Sequence, residues 1–227
     1  MKIGILQTGH APDAMRPDTG DYADLFKQLL GDQGFEFETY DVVDMQFPAD
    51  VHAADGWLLT GSKHGAYEDH PFIAPLEIFI RDAYAAGAPM VGICFGHQII
   101  AQALGGRVEK FPGGWAVGRQ TYDWQGDTVA LNAWHQDQVT QRPDGAQIVA
   151  TNDFCENAAL VYGDRIFTVQ AHPEFENAFT KRLGDERGEG VVPDPLLTAA
   201  RATATMPIDN HRIADQMTRF FKTRSLT

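Results

Sequence analysis

Apolar positions along the chain fall into short unbroken runs separated by stretches of helical spacing. Strands and helices that alternate around a mostly parallel sheet leave this pattern. Residues 2–7 read as a buried first strand, and a loop rich in Gly, Pro and Asp follows to about Gly20. From 21 to 30 the spacing is helical, with Leu25, Phe26, Leu29 and Leu30 on one face and Gly31 and Gly34 able to end it. A second strand is predicted over 35–42, where Phe35, Phe37 and Thr39 alternate, and a third over 56–60, stopping at Gly61. A helix follows over 72–86, a short strand over 90–94, and a further helix over 96–104 that stops at Gly105-Gly106. Turn signals then separate short strands at 127–131, 146–150, 157–162 and 165–170, read as hairpins added to the parallel sheet. From 181 the chain reads as charged loop material, then as an amphipathic helix near 209–222 with Ile213, Met217, Phe220 and Phe221 inward. No repeat or linker interrupts the pattern. The expectation is one α/β domain over 1–227, with its core in about 1–180 and a tail of loop and helix over 181–227.

Composition narrows the function classes. With 227 residues, 44% of them hydrophobic, the chain can bury one substantial core. It carries 18 Lys and Arg against 31 Asp and Glu, a net charge of −13, so phosphate backbones and anionic lipid surfaces repel it. Neither nucleic acid nor membrane is an expected partner. No run of about eighteen apolar residues occurs, and the opening MKIGILQTGH reaches Gln7 too early for a signal peptide. A cytoplasmic location is expected. Two cysteines, Cys94 and Cys155, make a disulfide framework improbable, and the eight histidines form no HxH or HExxH spacing. No metal and no cofactor is expected. His64 and His70, lacking a third ligand at metal spacing, read as solvated loop residues, and Cys155 as a structural thiol.

The informative text is Val91-Gly92-Ile93-Cys94-Phe95-Gly96-His97-Gln98. It places a cysteine between glycines where a strand turns into a helix, the nucleophile-elbow arrangement. The glycines allow the sharp turn, and the helix N-terminus directs N–H groups at the sulfur and favours thiolate. A thiolate nucleophile needs a base and a group that orients the base. In His172-Pro173-Glu174 the proline holds its predecessor extended, so the imidazole and the carboxylate two residues on point to one side. Cys94, His172 and Glu174 therefore suit a nucleophile–base–acid triad. Acyl transfer also needs donors for a tetrahedral oxyanion. The N–H of Phe95 is one, and Gly61, in Thr60-Gly61-Ser62 at the end of the third strand, can supply the other.

With these residues the chain resembles the class I, triad-type glutamine amidotransferases, over roughly residues 1–180. Cys94-Phe95-Gly96-His97-Gln98 fits that family's nucleophile motif and His172-Pro173-Glu174 its base motif. The resemblance implies a flavodoxin-like three-layer fold and thioester chemistry on a γ-glutamyl amide. It implies Gln98 as a ligand of the glutamyl moiety, and it matches Trp134-His135-Gln136-Asp137 to the family's second substrate-binding stretch. The expected small-molecule partner is glutamine or another γ-glutamyl compound, with a separate synthetase or acceptor subunit as a further partner. Where the family usually reads Gly-Gly-Pro, this chain reads Thr60-Gly61-Ser62 and keeps one glycine. The Gly114-Trp115-x-x-Gly118 stretch is similar to stand-alone members, γ-glutamyl peptidases among them. Release of ammonia from glutamine is the first reading of the activity and cleavage of γ-glutamyl peptides the alternative. A non-catalytic flavodoxin-like binding module is the rival of another class.

Overall fold

The computed structural model describes residues 1–226. Strands β1 (Lys2–Leu6), β2 (Glu36–Tyr40), β3 (Gly56–Leu59) and β4 (Met90–Ile93) alternate with helices α2 (Tyr22–Leu30), α3 (Ile73–Ala86) and α4 (Phe95–Ala103). A single turn of helix, α1 (Arg16–Thr19), interrupts the long loop after β1. Then come β5 (Arg107–Lys110), β6 (Ala116–Trp124), β7 (Asp127–His135), β8 (Asp137–Gln141), β9 (Gln147–Thr151), β10 (Ala159–Tyr162) and β11 (Ile166–Val169). The chain continues through α5 (Asn177–Arg187), α6 (Asp194–Thr203) and α7 (Asn210–Thr223).

Nine strands form the main sheet in the order β2-β1-β3-β4-β11-β10-β9-β6-β7, and β5 pairs with β8 beside it. The first five are parallel neighbours; from β11 outward every pairing is antiparallel. The fold is therefore a flavodoxin-like α/β fold, a mostly parallel centre with antiparallel strands added at one side. Side chains alternate across the parallel strands. Ile3, Ile5, Leu58, Val91 and Ile93 join α2 and α7 in one core layer. Leu6, Trp57, Leu59 and Met90 join α3 and α4 in the other. Each central strand is thus buried on both faces, which explains the unbroken apolar runs.

Local signals set most boundaries. Asp21 caps α2 in a capping box with Asp24, and Gly87, at φ 72°, ends α3 in the left-handed conformation. The tail corrects the sequence reading. Instead of charged loop followed by one helix, the described residues from 181 to 226 contribute the last turns of α5, all of α6 and then α7. Helix α5 buries only Phe179, Thr180, Leu183 and Gly184, and α6 only Leu197, so neither carries the apolar stripe that periodicity detects. What holds them is tertiary. Arg182 reaches Asp18 at 2.8 Å and Arg201 reaches Asp185 at 3.0 Å. Helix α6 also lies so close to β6 that a Cβ on Gly118, at φ +70°, would meet the Ala200 Cβ at 2.5 Å. Strands β5, β6 and β8 add to the predicted hairpins, and β7 runs to His135 rather than 131. Among the described residues, no helix is long and apolar enough to cross a membrane.

Candidate active site

Strand β4 ends on Ile93, and α4 begins at Phe95, so one residue makes the whole turn. That residue, Cys94, has φ 52° and ψ −102°, a conformation that costs any L-residue free energy and that the surroundings must enforce. They do so through backbone contacts. Cys94 N–H donates to Val169 O at 2.9 Å, and Gly96 N–H donates to Thr60 O at 3.1 Å. A Cβ on Gly92 would lie 2.6 Å from Gly96 O, and one on Gly96 would lie 2.5 Å from Leu59 O. Only glycine lets strand, turn and helix close this tightly. The sulfur consequently stands at the C-terminal edge of the parallel strands, before the first turn of α4.

His172 arrives from β11, the strand next to β4. Its N–H donates to Asn132 O at 2.9 Å, tying it to β7 through an isolated bridge. Its Nδ1 lies 2.7 Å from Glu174 Oε1, both side chains being buried. Burial alone would lower the His172 pKa; the Glu174 carboxylate and the Cys94 sulfur more than offset this and raise it. Phe175 lies flat beneath the imidazole, and its carbonyl accepts from Asn132 Nδ2 at 2.9 Å. Gly61 completes the cluster. A Cβ there would be 2.9 Å from His172 Cε1 and 3.7 Å from Cys94 Cβ, so the loop after β3 touches both. The Gly61 carbonyl accepts from Thr8 Oγ1 at 3.1 Å, which anchors that loop to the end of β1.

Two clefts meet here. Cys94, Gln98, Trp134, His135, Gln136 and Asp137 line one of about 350 Å³. Gly61, His172 and Phe175 open onto a second, of about 830 Å³, walled by Tyr22 and by Glu186, Arg187 and Glu189 of the tail. Ser62, Lys63 and Trp134 border both. All nine residues singled out from the sequence therefore lie around one centre: Cys94, His172, Glu174, Gly61, Phe95, Gln98, Trp134, His135 and Gln136. Two have further commitments. Gln98 Nε2 donates to Asp137 O at 2.8 Å and to Gln170 Oε1 at 3.1 Å, so its amide braces the loop after β7. His135 is buried, and burial, with His172 nearby, pushes its pKa down to about 3, leaving it neutral.

Sequence reasoning missed Phe175, Asn132 and the tail residues of the larger cleft. Phe175 stands one residue past the H-P-E text and carried a signal of proximity, but its stacking depends on the turn that follows. Asn132 lies forty residues from His172, and nothing in its neighbourhood marks the pairing.

An α/β sheet with a strained thiol at a strand–helix elbow, near a buried histidine–carboxylate pair, is the arrangement of a nucleophile-elbow protein. The chain belongs to the class-I glutamine amidotransferase family, whose model matches residues 20–182. It is 32% identical over 172 residues to γ-glutamyl peptidase 4 of Arabidopsis thaliana, covering 69% of this chain and 68% of that one. It is 34% identical over 140 residues to the glutamine-hydrolyzing GMP synthase of Clostridium novyi, covering 56% of this chain and 26% of that one. The glutamine amido transferase structure from Methylobacillus flagellatus superposes with a TM-score of 0.76 at 22% identity, over 99% of this chain and 94% of that one.

Proposed function

We propose that this protein is a cysteine hydrolase of γ-glutamyl amides that works through a γ-glutamyl thioester on Cys94. The single observation that carries the reading is the strained Cys94 at the elbow, with the Gly61 loop against both it and a buried imidazole that Glu174 holds from behind at 2.7 Å. The Cys94 thiolate attacks the δ-carbonyl, and the N–H groups of Phe95 and Gly61 hold the oxyanion. Imidazolium His172 gives its proton to the departing nitrogen as the C–N bond breaks, leaving the thioester. His172, now neutral, takes a proton from water; the hydroxide attacks the thioester, and glutamate leaves as the thiolate re-forms with His172 reprotonated. Glu174 fixes the tautomer and stabilises the imidazolium. Gln98 and the Trp134-His135-Gln136 stretch bind the glutamyl portion in the smaller cleft.

The leaving nitrogen departs toward the larger cleft. In the ammonia reading, the substrate is glutamine and a synthetase or acceptor subunit consumes the ammonia. A second reading is favoured by the size of that solvent-open cleft, roomier than ammonia requires, and by the charged Lys63, Glu186, Arg187 and Glu189 in its wall, which suit the amine and carboxylate of an amino acid. In it the leaving group is an amino acid or peptide. We read the whole chain as one domain, since tail residues build this wall.

Product analysis tests both readings. Purified protein is offered glutamine in one reaction and γ-glutamyl dipeptides or glutathione in another, with Cys94→Ala as control. Ammonia from glutamine alone supports the first reading, and release of amino acids or peptides supports the second. Turnover that persists in Cys94→Ala sinks the mechanism.

A further inference from the structure

The segment between β3 and α3 carries three side chains that the proposed reaction does not use. His64, Glu68 and His70 each present one donor atom, and the three atoms lie within 4.8 Å of one another. His70 Nε2 is 2.9 Å from Glu68 Oε2, and His64 Nδ1 is 3.9 Å from the same oxygen. The two imidazole centroids are 4.0 Å apart. Sequence spacing, which treats the two histidines as solvated loop residues, gives no hint of this: both are half-buried, and the third ligand stands between them.

Several contacts hold the three together. Gly65 N–H donates to Glu68 Oε2 at 3.0 Å, and Glu68 N–H donates back to Gly65 O at 3.1 Å, closing the turn around the carboxylate. The Phe72 ring, which is buried, lies 5.8 Å from the His64 ring and 6.0 Å from the His70 ring, nearly parallel to the latter at 18°. Phe72 thus backs both imidazoles and leaves their nitrogens to converge on the outer side.

We propose that His64, Glu68 and His70 bind a divalent transition-metal ion of the zinc class. Two imidazole nitrogens and one carboxylate oxygen make up the donor set of open three-ligand zinc sites. Magnesium and calcium favour oxygen donors, so the two histidines select against them. Donors each about 2.0–2.2 Å from a tetrahedral ion stand about 3.3–3.6 Å apart, so the widest pair here, within 4.8 Å, must draw in by about an ångström to close onto an ion. Half-exposed side chains can make that shift. The Gly65 N–H on Glu68 Oε2 is the kind of supporting bond that orients a metal-ligating carboxylate. Lys63, next in the chain, opposes a cation, and the overall charge of −13 favours one.

The site sits beside the reacting sulfur. His64 lines the same cleft as Cys94 and Gln98, and Phe72 meets the ring of Phe95, the residue after Cys94, at 6.0 Å. An ion here lies on the rim of the smaller cleft and takes no part in the covalent steps.

Zinc titration of the Cys94→Ala protein by calorimetry is the test, because that background removes the Cys94 sulfur, which lines the same cleft, as a competing soft ligand. One equivalent is expected to bind. His64→Gln and His70→Gln, each in the same background, should weaken binding by more than the roughly 10–100-fold that follows loss of a mere supporting partner. Cobalt in place of zinc should give visible bands of low coordination number with no thiolate charge-transfer absorption. Thermal melts without metal check that the variants remain folded. Failure of the Cys94→Ala protein to bind, or binding by either histidine variant undiminished from that of the Cys94→Ala parent, overturns the proposal. The readout is binding and not turnover, so it stands or falls apart from the hydrolase reading.

Discussion

The His172 imidazole and the Phe175 ring lie face to face, with centroids 3.9 Å apart and planes 3° from parallel. The contact clamps the flat of the imidazole while Glu174 holds its Nδ1 edge, so the ring has no freedom left to turn away from Cys94. Two different kinds of restraint act on one side chain, and they separate experimentally. Phe175→Ala keeps the carboxylate and removes the platform; kcat is expected to fall by about tenfold or more with KM little changed. Glu174→Gln keeps the platform and forfeits the tautomer, with a loss in kcat of order 10²–10⁴. Equal small losses in steady-state kinetics would show that neither residue positions the base.

The two thiols should behave differently toward alkylating reagents. Burial pushes the Cys155 thiol up to about 12, so it holds almost no thiolate near neutrality. Iodoacetamide at pH 8 is expected to label the native protein once, at Cys94, and the denatured protein twice, as read by intact and peptide mass. Cys155→Ser should leave turnover near wild type.

Acid should destabilise the protein before most carboxylates titrate. Burial lowers both His97 and His135 from 6.5 to about 3. Below pH 6.5 the unfolded chain protonates these imidazoles while the folded one does not, so the unfolded state binds more protons and stability falls with pH. Each contributes a slope approaching about 1.4 kcal/mol per pH unit until the folded value is reached. In His97→Gln, the decline of melting temperature between pH 6.5 and 5 is expected to be shallower. An unchanged slope contradicts the neutral buried histidine.

Glycine substitutions should split into two outcomes. Gly61→Ala sets a methyl 2.9 Å from His172 Cε1, an atom of the clamped imidazole and not of the main chain, so activity should drop steeply as the ring is displaced, with a smaller loss of melting temperature than Gly96→Ala. Gly96→Ala sets one 2.5 Å from a backbone carbonyl, Leu59 O, and should cost about 3 kcal/mol, at the upper end for overpacking. Denaturant melts of the two variants, set beside their turnover, distinguish the cases.

Much of the fold was legible because burial on both faces writes itself into a strand as a continuous apolar run. β1, β3 and β4 announce themselves so, and α3 and α7 carry inward stripes. The elbow was legible from two glycines around a cysteine, since the turn tolerates nothing larger. Helices α5 and α6 were not, because each spends only a few residues on burial and leans on partners distant in sequence. Strand β6 was hidden because Gly118, Arg119 and Gln120 interrupt any apolar run; their neighbours across the sheet set them in register. At the site, the Asn132–His172 bridge and the walls of the larger cleft depend on such distant pairings and on nothing local.

The backbone contacts at Gly92 and Gly96 have a consequence for how this protein could change over generations. A side chain at either position strikes main chain as well as side chain, and the main chain cannot shrink in response, so no partner substitution fully compensates. The turn bearing Cys94 is closed to drift. The outer helices and the segment joining them, held by ion pairs at their surfaces and contributing Glu186, Arg187 and Glu189 to the opposite wall, face no such prohibition. Diversification toward new leaving groups would therefore be written in the tail, while the turn that performs the chemistry is inherited unaltered.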